Sequence, residues 1–157
     1  MVLWFIATSV ATVWVVFRDP RFDYRPLIAG ALLPDAVDVW FGGAHAMHSV
    51  VVVFVAMIVM VLATIGRRRL RKLLLGVPIG MLLHLVFDGA FADVDTFWWP
   101  VTGSFGDDEL PAVARGWSTL LLEAVGAVLL VVGCRRFHLR SGEVRRRFLV
   151  SGVLSDV

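Results

Sequence analysis

The sequence predicts an all-α membrane protein, a polytopic bundle of about five transmembrane helices. Hydrophobic residues make up 59% of the 157 residues and charged residues 18%, whereas a soluble domain is about 45–50% apolar. The mean hydropathy is +0.82, and the apolar residues form blocks rather than amphipathic stripes. Short basic clusters border these blocks, which is typical of membrane proteins. The length fits a single domain, residues 1–157.

The apolar blocks give the five predicted spans, at residues 2–17, 27–41, 49–66, 73–88 and 117–134. The first block is shorter than the ~20 residues that a span usually needs. A secretory signal peptide is the alternative interpretation, but there is no basic segment before this block and no small-x-small cleavage site after it. In the second block, Pro34 predicts a break or a kink in the helix.

The basic clusters predict how the chain is oriented. They follow the first, third and fifth spans, at residues 18–25, 67–72 and 135–147. Placing all three in the cytoplasm satisfies the positive-inside rule, with the N-terminus outside and the C-terminus inside. The expected location is therefore the cell (inner) membrane, where the basic tail, 135–157, should attract anionic lipid headgroups. Although the pI is near 9.3, this pattern disfavours nucleic acid as a partner.

The long loop at residues 89–116 is predicted to lie outside the cell. It contains one Arg and no Lys, and it carries Trp98 and Trp99, a pair typical of an aromatic anchor at the membrane surface. Since loops of this length are usually functional or disordered, we expect a lid that lies on the bilayer surface.

Ionisable side chains within the apolar blocks are the candidate functional residues. His84 and Asp88 are four residues apart, so a helix places both on one face, one turn apart. An imidazole and a carboxylate in this arrangement can bind one metal ion, and ionisable groups inside a membrane indicate function because they are costly there. The alternative is a neutral histidine hydrogen-bonded to the aspartate as a helix-packing pair.

Polar side chains from other spans are expected at the same depth. The predicted orientation brings the metal-ligand candidates to the outer ends of the spans: Asp35, Asp38, His45, His48, His84 and Asp88. Capping of a helix N-terminus would explain one of the two early carboxylates better than both. A mixed imidazole and carboxylate set suits a divalent ion such as zinc, manganese or iron, of which zinc and manganese are preferred. The single cysteine, Cys134, excludes a multi-cysteine zinc site.

A metal ion at this depth would support hydrolysis, because it activates water as a nucleophile. Asp35 and Glu123 are the candidate catalytic residues, each as a general base. The interface location favours a lipid-like substrate with a phosphoester or ester bond, reached from the extracytoplasmic side. A metal or proton transporter is one alternative, although the inner half of the spans has few polar residues. A non-catalytic protein, in which the polar cluster is structural or binds a partner, is the other.

The motifs resemble the YdjM-like family of inner-membrane proteins, which are described as membrane-bound metal-dependent hydrolases. The likeness covers about residues 30–100 and is carried by four motifs: Gly30-Ala-Leu-Leu-Pro-Asp-Ala-Val-Asp38, His48-Ser49, His84-Leu-Val-Phe-Asp88 and Trp98-Trp-Pro100. The resemblance implies a metal site formed by Asp35, His48, His84 and Asp88. This chain differs from the family where it has Val37 in place of an acid and Asp38 in place of a histidine, and His45 is only a loose counterpart.

Overall fold

The computed structural model describes residues 1–102 and 116–154, and most of these residues are helical. The predicted all-α class is therefore confirmed. The helices are α1 (Val2–Phe17), α2 (Tyr24–Asp38), α3 (Val50–Ala63), α4 (Arg68–Leu74), α5 (Gly76–Asp88), α6 (Val94–Phe97), α7 (Trp117–Arg136) and α8 (Gly142–Ser151). Short 3₁₀ turns cover Val39–Phe41, Ala46–His48 and Ala90–Ala92. Residues 103–115, in the middle of the predicted outer lid, lie outside the described residues.

The sequence predicts a break or a kink at Pro34, and the structure shows no break. Helix α2 continues through Pro34 as far as Asp38. Its buried residues form one face, on which Leu27, Ala31 and Pro34 follow one another at helical spacing. Because Pro34 itself lies on this packed face, contacts with neighbouring helices hold the helical geometry that the ring alone disfavours. A helix that reaches Asp38 keeps Asp35 in its last turn.

Helices α2 and α5 form the closest helix pair of the fold, and glycines make the contact. A Cβ atom at Gly30 would overlap the carbonyl oxygen of Val77, and one at Gly80 would overlap the carbonyl oxygen of Leu27. Gly76 is similarly close to the backbone of Leu27. Small residues of this kind let two helix backbones approach each other, a device common among membrane helices. This contact fixes the register of α5 on α2.

The three basic clusters meet at one end of the bundle. Asp19, in the loop after α1, forms a 2.7 Å ion pair with Lys72 of α4. The guanidinium of Arg25 donates to the carbonyl oxygens of Leu149 and Val150 at the end of α8, at 3.1 and 2.9 Å. We call this end of the bundle the basic end. The sequence predicts that successive helices alternate in direction, and the meeting of the basic clusters at one end agrees with this prediction.

The opposite end joins the start of α1 to the end of α5 and the first half of α7. The indole N–H of Trp4 donates to the carbonyl oxygen of Phe87 at 3.2 Å. The carboxylate of Glu123 accepts the backbone N–H groups of Leu3 and Trp4, at 3.1 and 3.3 Å. Helices α1 and α7 therefore run parallel to each other and antiparallel to α5.

Two helical stretches among the described residues are long and apolar enough to span a membrane. They are residues 68–88, which combine α4 and α5, and α7. Helices α1 and α3 are apolar but shorter, with 16 and 14 residues. Within the apolar stretch of α7, only 6% of the residues are buried inside the protein, whereas 33% are buried in the apolar stretch of residues 68–88. An apolar helix this exposed fits a lipid environment better than the core of a soluble protein.

Candidate metal centre

Three side chains from separate segments meet beside the C-terminal end of α2. Nε2 of His48 and Nε2 of His84 each lie 3.4 Å from Oδ1 of Asp35. One ligand atom from each of the three residues lies within 4.8 Å of the other two. The imidazoles are 1% and 0% exposed, whereas the side chain of Asp35 is 28% exposed. We call these three residues the metal triad, and its accessible side is the side of Asp35.

Local structure explains why these residues converge. His84 follows Gly76 and Gly80 at four-residue spacing on α5, so the glycines that admit α2 also place His84 against it. His48 ends the 3₁₀ turn Ala46–His48. It is followed by Ser49, whose hydroxyl accepts the N–H of Val51 and caps α3.

Hydrogen bonds hold the second nitrogen of each imidazole. Nδ1 of His84 lies 2.7 Å from the carbonyl oxygen of Ala31, and Nδ1 of His48 lies 2.7 Å from Oδ2 of Asp38. A carbonyl oxygen only accepts, so Nδ1 of His84 carries a hydrogen, and in the neutral ring Nε2 is an acceptor. The carboxylate gives His48 the same tautomer. Metal-binding histidines typically make such outer contacts, to a carboxylate or a backbone carbonyl.

When both rings are neutral, the inward-facing atoms of the metal triad are therefore acceptors with no donor between them. Nε2 of both histidines is buried and forms no hydrogen bond with any described residue. Burial disfavours the charged form of His48, but the carboxylates of Asp35 and Asp38 outweigh this effect and raise the pKa of His48 to about 9. The site thus favours a positive charge, which a proton or a metal ion can provide.

Two of the three separations within the metal triad fit coordination of one ion. Zinc binds imidazole nitrogen and carboxylate oxygen at about 2.0–2.2 Å in tetrahedral geometry. Two ligand atoms around such an ion are therefore about 3.3 Å apart. The two nitrogen–oxygen separations of 3.4 Å agree with this distance, and they are long for a hydrogen bond.

Asp38 supports the metal triad from behind. Its side chain is fully buried. Besides contacting His48, it accepts the backbone N–H of His45 at 2.9 Å and that of Met47 at 3.4 Å. These contacts fold residues 45–48 around the carboxylate. The sequence predicts Asp38 as a metal ligand, and the structure places its carboxylate against Nδ1 of His48, whereas Asp35 lies by Nε2 of the same ring.

The other predicted ligands lie outside the metal triad. Nδ1 of His45 is 3.0 Å from the carbonyl oxygen of Gly43, so this ring faces its own turn. Asp88 is buried on α5 one turn beyond His84, but it is not among the three residues whose ligand atoms converge. The pair that the sequence analysis places on one helix face is thus present, with His84 inside the metal triad and Asp88 outside it.

Glu123, a predicted general base, is bound to backbone instead. Its two carboxylate oxygens accept N–H groups of the first turn of α1, where a helix has unpaired donors and favours negative charge. Glu123 therefore acts as a cap that joins α7 to α1.

Two contacts of the site could not be predicted from the sequence. The ring of Phe5 lies against the imidazole of His84, with centroids 3.9 Å apart and an angle of 36° between the planes. The carbonyl oxygen of Ala31 orients the same imidazole. A phenylalanine in an apolar run and a backbone carbonyl look like any other core feature until the helices are packed.

No family model matches the chain, and it has no significant match among curated proteins or solved structures. The family resemblance drawn from the four motifs therefore stays a prediction.

The geometry defines what the metal triad could do chemically. Three protein ligands, two neutral nitrogens and one carboxylate oxygen, leave a fourth position free in a tetrahedral ion, and this is the pattern of catalytic rather than structural zinc sites. Imidazole with carboxylate also suits manganese or iron. The partial exposure of Asp35 gives the free position a route for an incoming ligand.

Proposed function

We propose that this chain is a membrane-embedded metal-dependent hydrolase, with Asp35, His48 and His84 as the ligands of one divalent ion. The observation that carries the proposal is the convergence of two buried, inward-facing Nε2 atoms on one carboxylate oxygen, at 3.4 Å each. A closed structural site would use four protein ligands. The bound ion would supply Lewis-acid activation of water and of the scissile group.

The membrane arrangement of the proposal has five spans. Helices α1, α2 and α3 cross together with residues 68–88 and α7, the N-terminus is outside and the basic end is cytoplasmic. Support comes from the meeting of the basic clusters and from the apolar surface of α3, where Phe54, Ile58 and Leu62 are 48–60% exposed along one face. The metal triad then faces the extracytoplasmic side.

The chain's own residues have distinct roles in this proposal. Asp38 orients His48, and the carbonyl of Ala31 orients His84. Asp35 contributes Oδ1 to the ion, and its second oxygen is the candidate base that takes a proton from water. The partial exposure of Asp35 and its location near the membrane surface favour a lipid-like substrate with a phosphoester or ester bond near the headgroup.

A metal or proton transporter is less well supported, because the basic end is closed by an apolar cluster. Val13, Phe22, Tyr24, Leu27, Phe137 and Leu154 pack there and are all at most 8% exposed. An ion path would need polar groups through this layer.

Metal content and hydrolysis in the same preparations test the proposal. Wild-type protein, His48→Ala and His45→Ala are purified in detergent and loaded with zinc or manganese. Their bound metal and their release of phosphate or fatty acid from lipid substrates are then measured. We expect one ion and hydrolysis in the wild type, neither in His48→Ala, and both in the matched control His45→Ala. Folded wild-type protein that binds no divalent ion, or that binds one and cleaves neither class of lipid bond, would overturn the proposal.

A further inference from the structure

Two neighbouring cavities lie at the basic end, and Tyr24, in the lining of one of them, is roughly 17 Å along α2 from Asp35. An apolar groove of about 380 Å³ runs between α1 and α7. Its α1 wall is formed by Ile6, Val10 and Trp14 with the alanines between them, over about 12 Å of helix. Gly133 lies in its α7 wall, and a Cβ atom there would meet nothing within 4 Å. The groove has room for a narrow apolar chain.

The C-terminal tail closes the groove at the basic end. Phe148 of α8 and Leu154 line it there. Leu154 is held in place because Asp23 pairs with Val153 in an antiparallel bridge, and the N–H of Tyr24 donates to the carbonyl oxygen of Gly152 at 2.8 Å. A groove with a built end differs from the open furrow between any two lipid-facing helices.

A second, more polar cavity adjoins this closed end. It has a volume of about 410 Å³ and includes Arg18, Asp19 and Tyr24 in its lining. Trp14 and Leu154 line both cavities, so the polar cavity and the apolar groove are neighbours. A phospholipid at the basic end would place a hydrocarbon chain in the groove and its headgroup on the side of the polar cavity.

The charges beside the polar cavity favour an anion. Arg18 lies in its wall, and Arg136 lies in the groove with its guanidinium 6.0 Å from the ring of Trp14. Asp19 is already neutralised by Lys72 at 2.7 Å. Residues 134–147 contain six arginines, Arg136 among them, and a single glutamate. Basic residues near a membrane surface attract anionic lipids.

We propose that the basic end binds one anionic phospholipid, with a hydrocarbon chain in the α1–α7 groove and its headgroup between Arg18 and Arg136. This site is separate from the metal triad and does not depend on hydrolysis. The occupant is a lipid of the same leaflet, which the proposed orientation makes the cytoplasmic one. By joining α1, α7 and the tail, the lipid would stabilise the closed basic end.

Native mass spectrometry of the metal-free protein in detergent tests this site. The protein is titrated with phosphatidylglycerol or with phosphatidylcholine of the same chain length. Each arginine near a lipid headgroup is worth about a fivefold change in affinity, so two arginines predict a preference of about 25-fold for phosphatidylglycerol. Arg136→Gln should reduce this preference about fivefold. The adjacent Arg135→Gln, which changes the net charge equally outside the groove, should leave it unchanged.

A second variant pair tests the chain-binding part. Gly133→Leu fills the groove without a backbone clash and should reduce the binding of both lipids, whereas Val131→Phe, outside the groove lining, should not. Zinc binding and thermal unfolding of each variant verify that the fold is retained. Equal affinity for the two lipids, or equal effects of Arg135→Gln and Arg136→Gln, would overturn the proposal, and so would undiminished binding in folded Gly133→Leu.

Discussion

The substitution Asp38→Asn tests how Asp38 supports the metal triad. It replaces one carboxylate oxygen by an NH₂ group and leaves the shape of the side chain unchanged. The carboxylate contacts Nδ1 of His48 at 2.7 Å and also accepts two backbone N–H groups. Oδ2 contacts Nδ1 of His48 and the N–H of His45, whereas Oδ1 contacts only the N–H of Met47. Asn keeps one oxygen acceptor, which can stay at the Oδ2 position, but His48 then faces a neutral amide instead of a carboxylate. We expect the substitution to weaken metal binding about 10–100-fold, as is usual when the outer partner of a metal-binding histidine is changed.

Thermal unfolding at a fixed zinc concentration converts this loss into a measurable shift. At a free zinc concentration of 100 times the wild-type Kd, binding stabilises the wild type by about 2.7 kcal/mol. For Asp38→Asn the same concentration is only about 10 or 1 times its Kd, which gives about 1.4 or 0.4 kcal/mol. The zinc-induced rise in Tm should therefore fall by half or more. A folded Asp38→Asn protein with an undiminished zinc-induced shift would refute the role assigned to Asp38.

Three further predictions concern the protonation of His48, the packing of α5 on α2 and the role of Glu123. Metal affinity should rise about tenfold per pH unit below pH 9, because the pKa of His48 is raised to about 9 and binding must release its proton; calorimetry in buffers of different ionisation enthalpy should show about one proton released at pH 7. Gly80→Ala should lower the Tm and weaken metal binding, since its Cβ would overlap the backbone of α2, whereas Gly133→Ala, with open space around it, should raise the Tm through its better helix propensity; the reverse order of Tm values would contradict the α2–α5 packing. Glu123→Ala should cost about 0.5–2 kcal/mol of unfolding free energy through loss of a helix cap and leave metal-dependent hydrolysis intact, so a folded variant that binds metal but has no activity would restore Glu123 as a general base.

The helices could be predicted from the sequence because apolar blocks and basic clusters are local signals. The first block and α1 share the same bounds, Val2–Phe17. The helix does not break at Pro34, which is buried, because packing holds it there and a local rule about the proline ring does not include that packing. A proline on a buried helix face is held by contacts that only the folded chain supplies.

The sequence could predict which residues form the candidate site, but not which contacts each of them makes. Histidine and aspartate are rare in apolar blocks, so Asp35, His48 and His84 could be picked out by type. Which carboxylate faces the Nε2 atoms and which contacts Nδ1 of His48 depends on the path of residues 42–48 after α2. Asp35 and Asp38 are the same residue type in similar sequence surroundings. In the structure, however, the side chain of Asp35 is 28% exposed and Asp38 is fully buried.

Metal-edge X-ray absorption of the zinc-loaded protein tests the central claim most directly. The account predicts two imidazole nitrogens and at least one oxygen at about 2.0–2.2 Å from the ion. His48→Ala should lose one imidazole from this shell or lose the zinc altogether, and His45→Ala should give the wild-type spectrum. A spectrum without two imidazoles, or one that changes in His45→Ala but not in His48→Ala, would contradict the account.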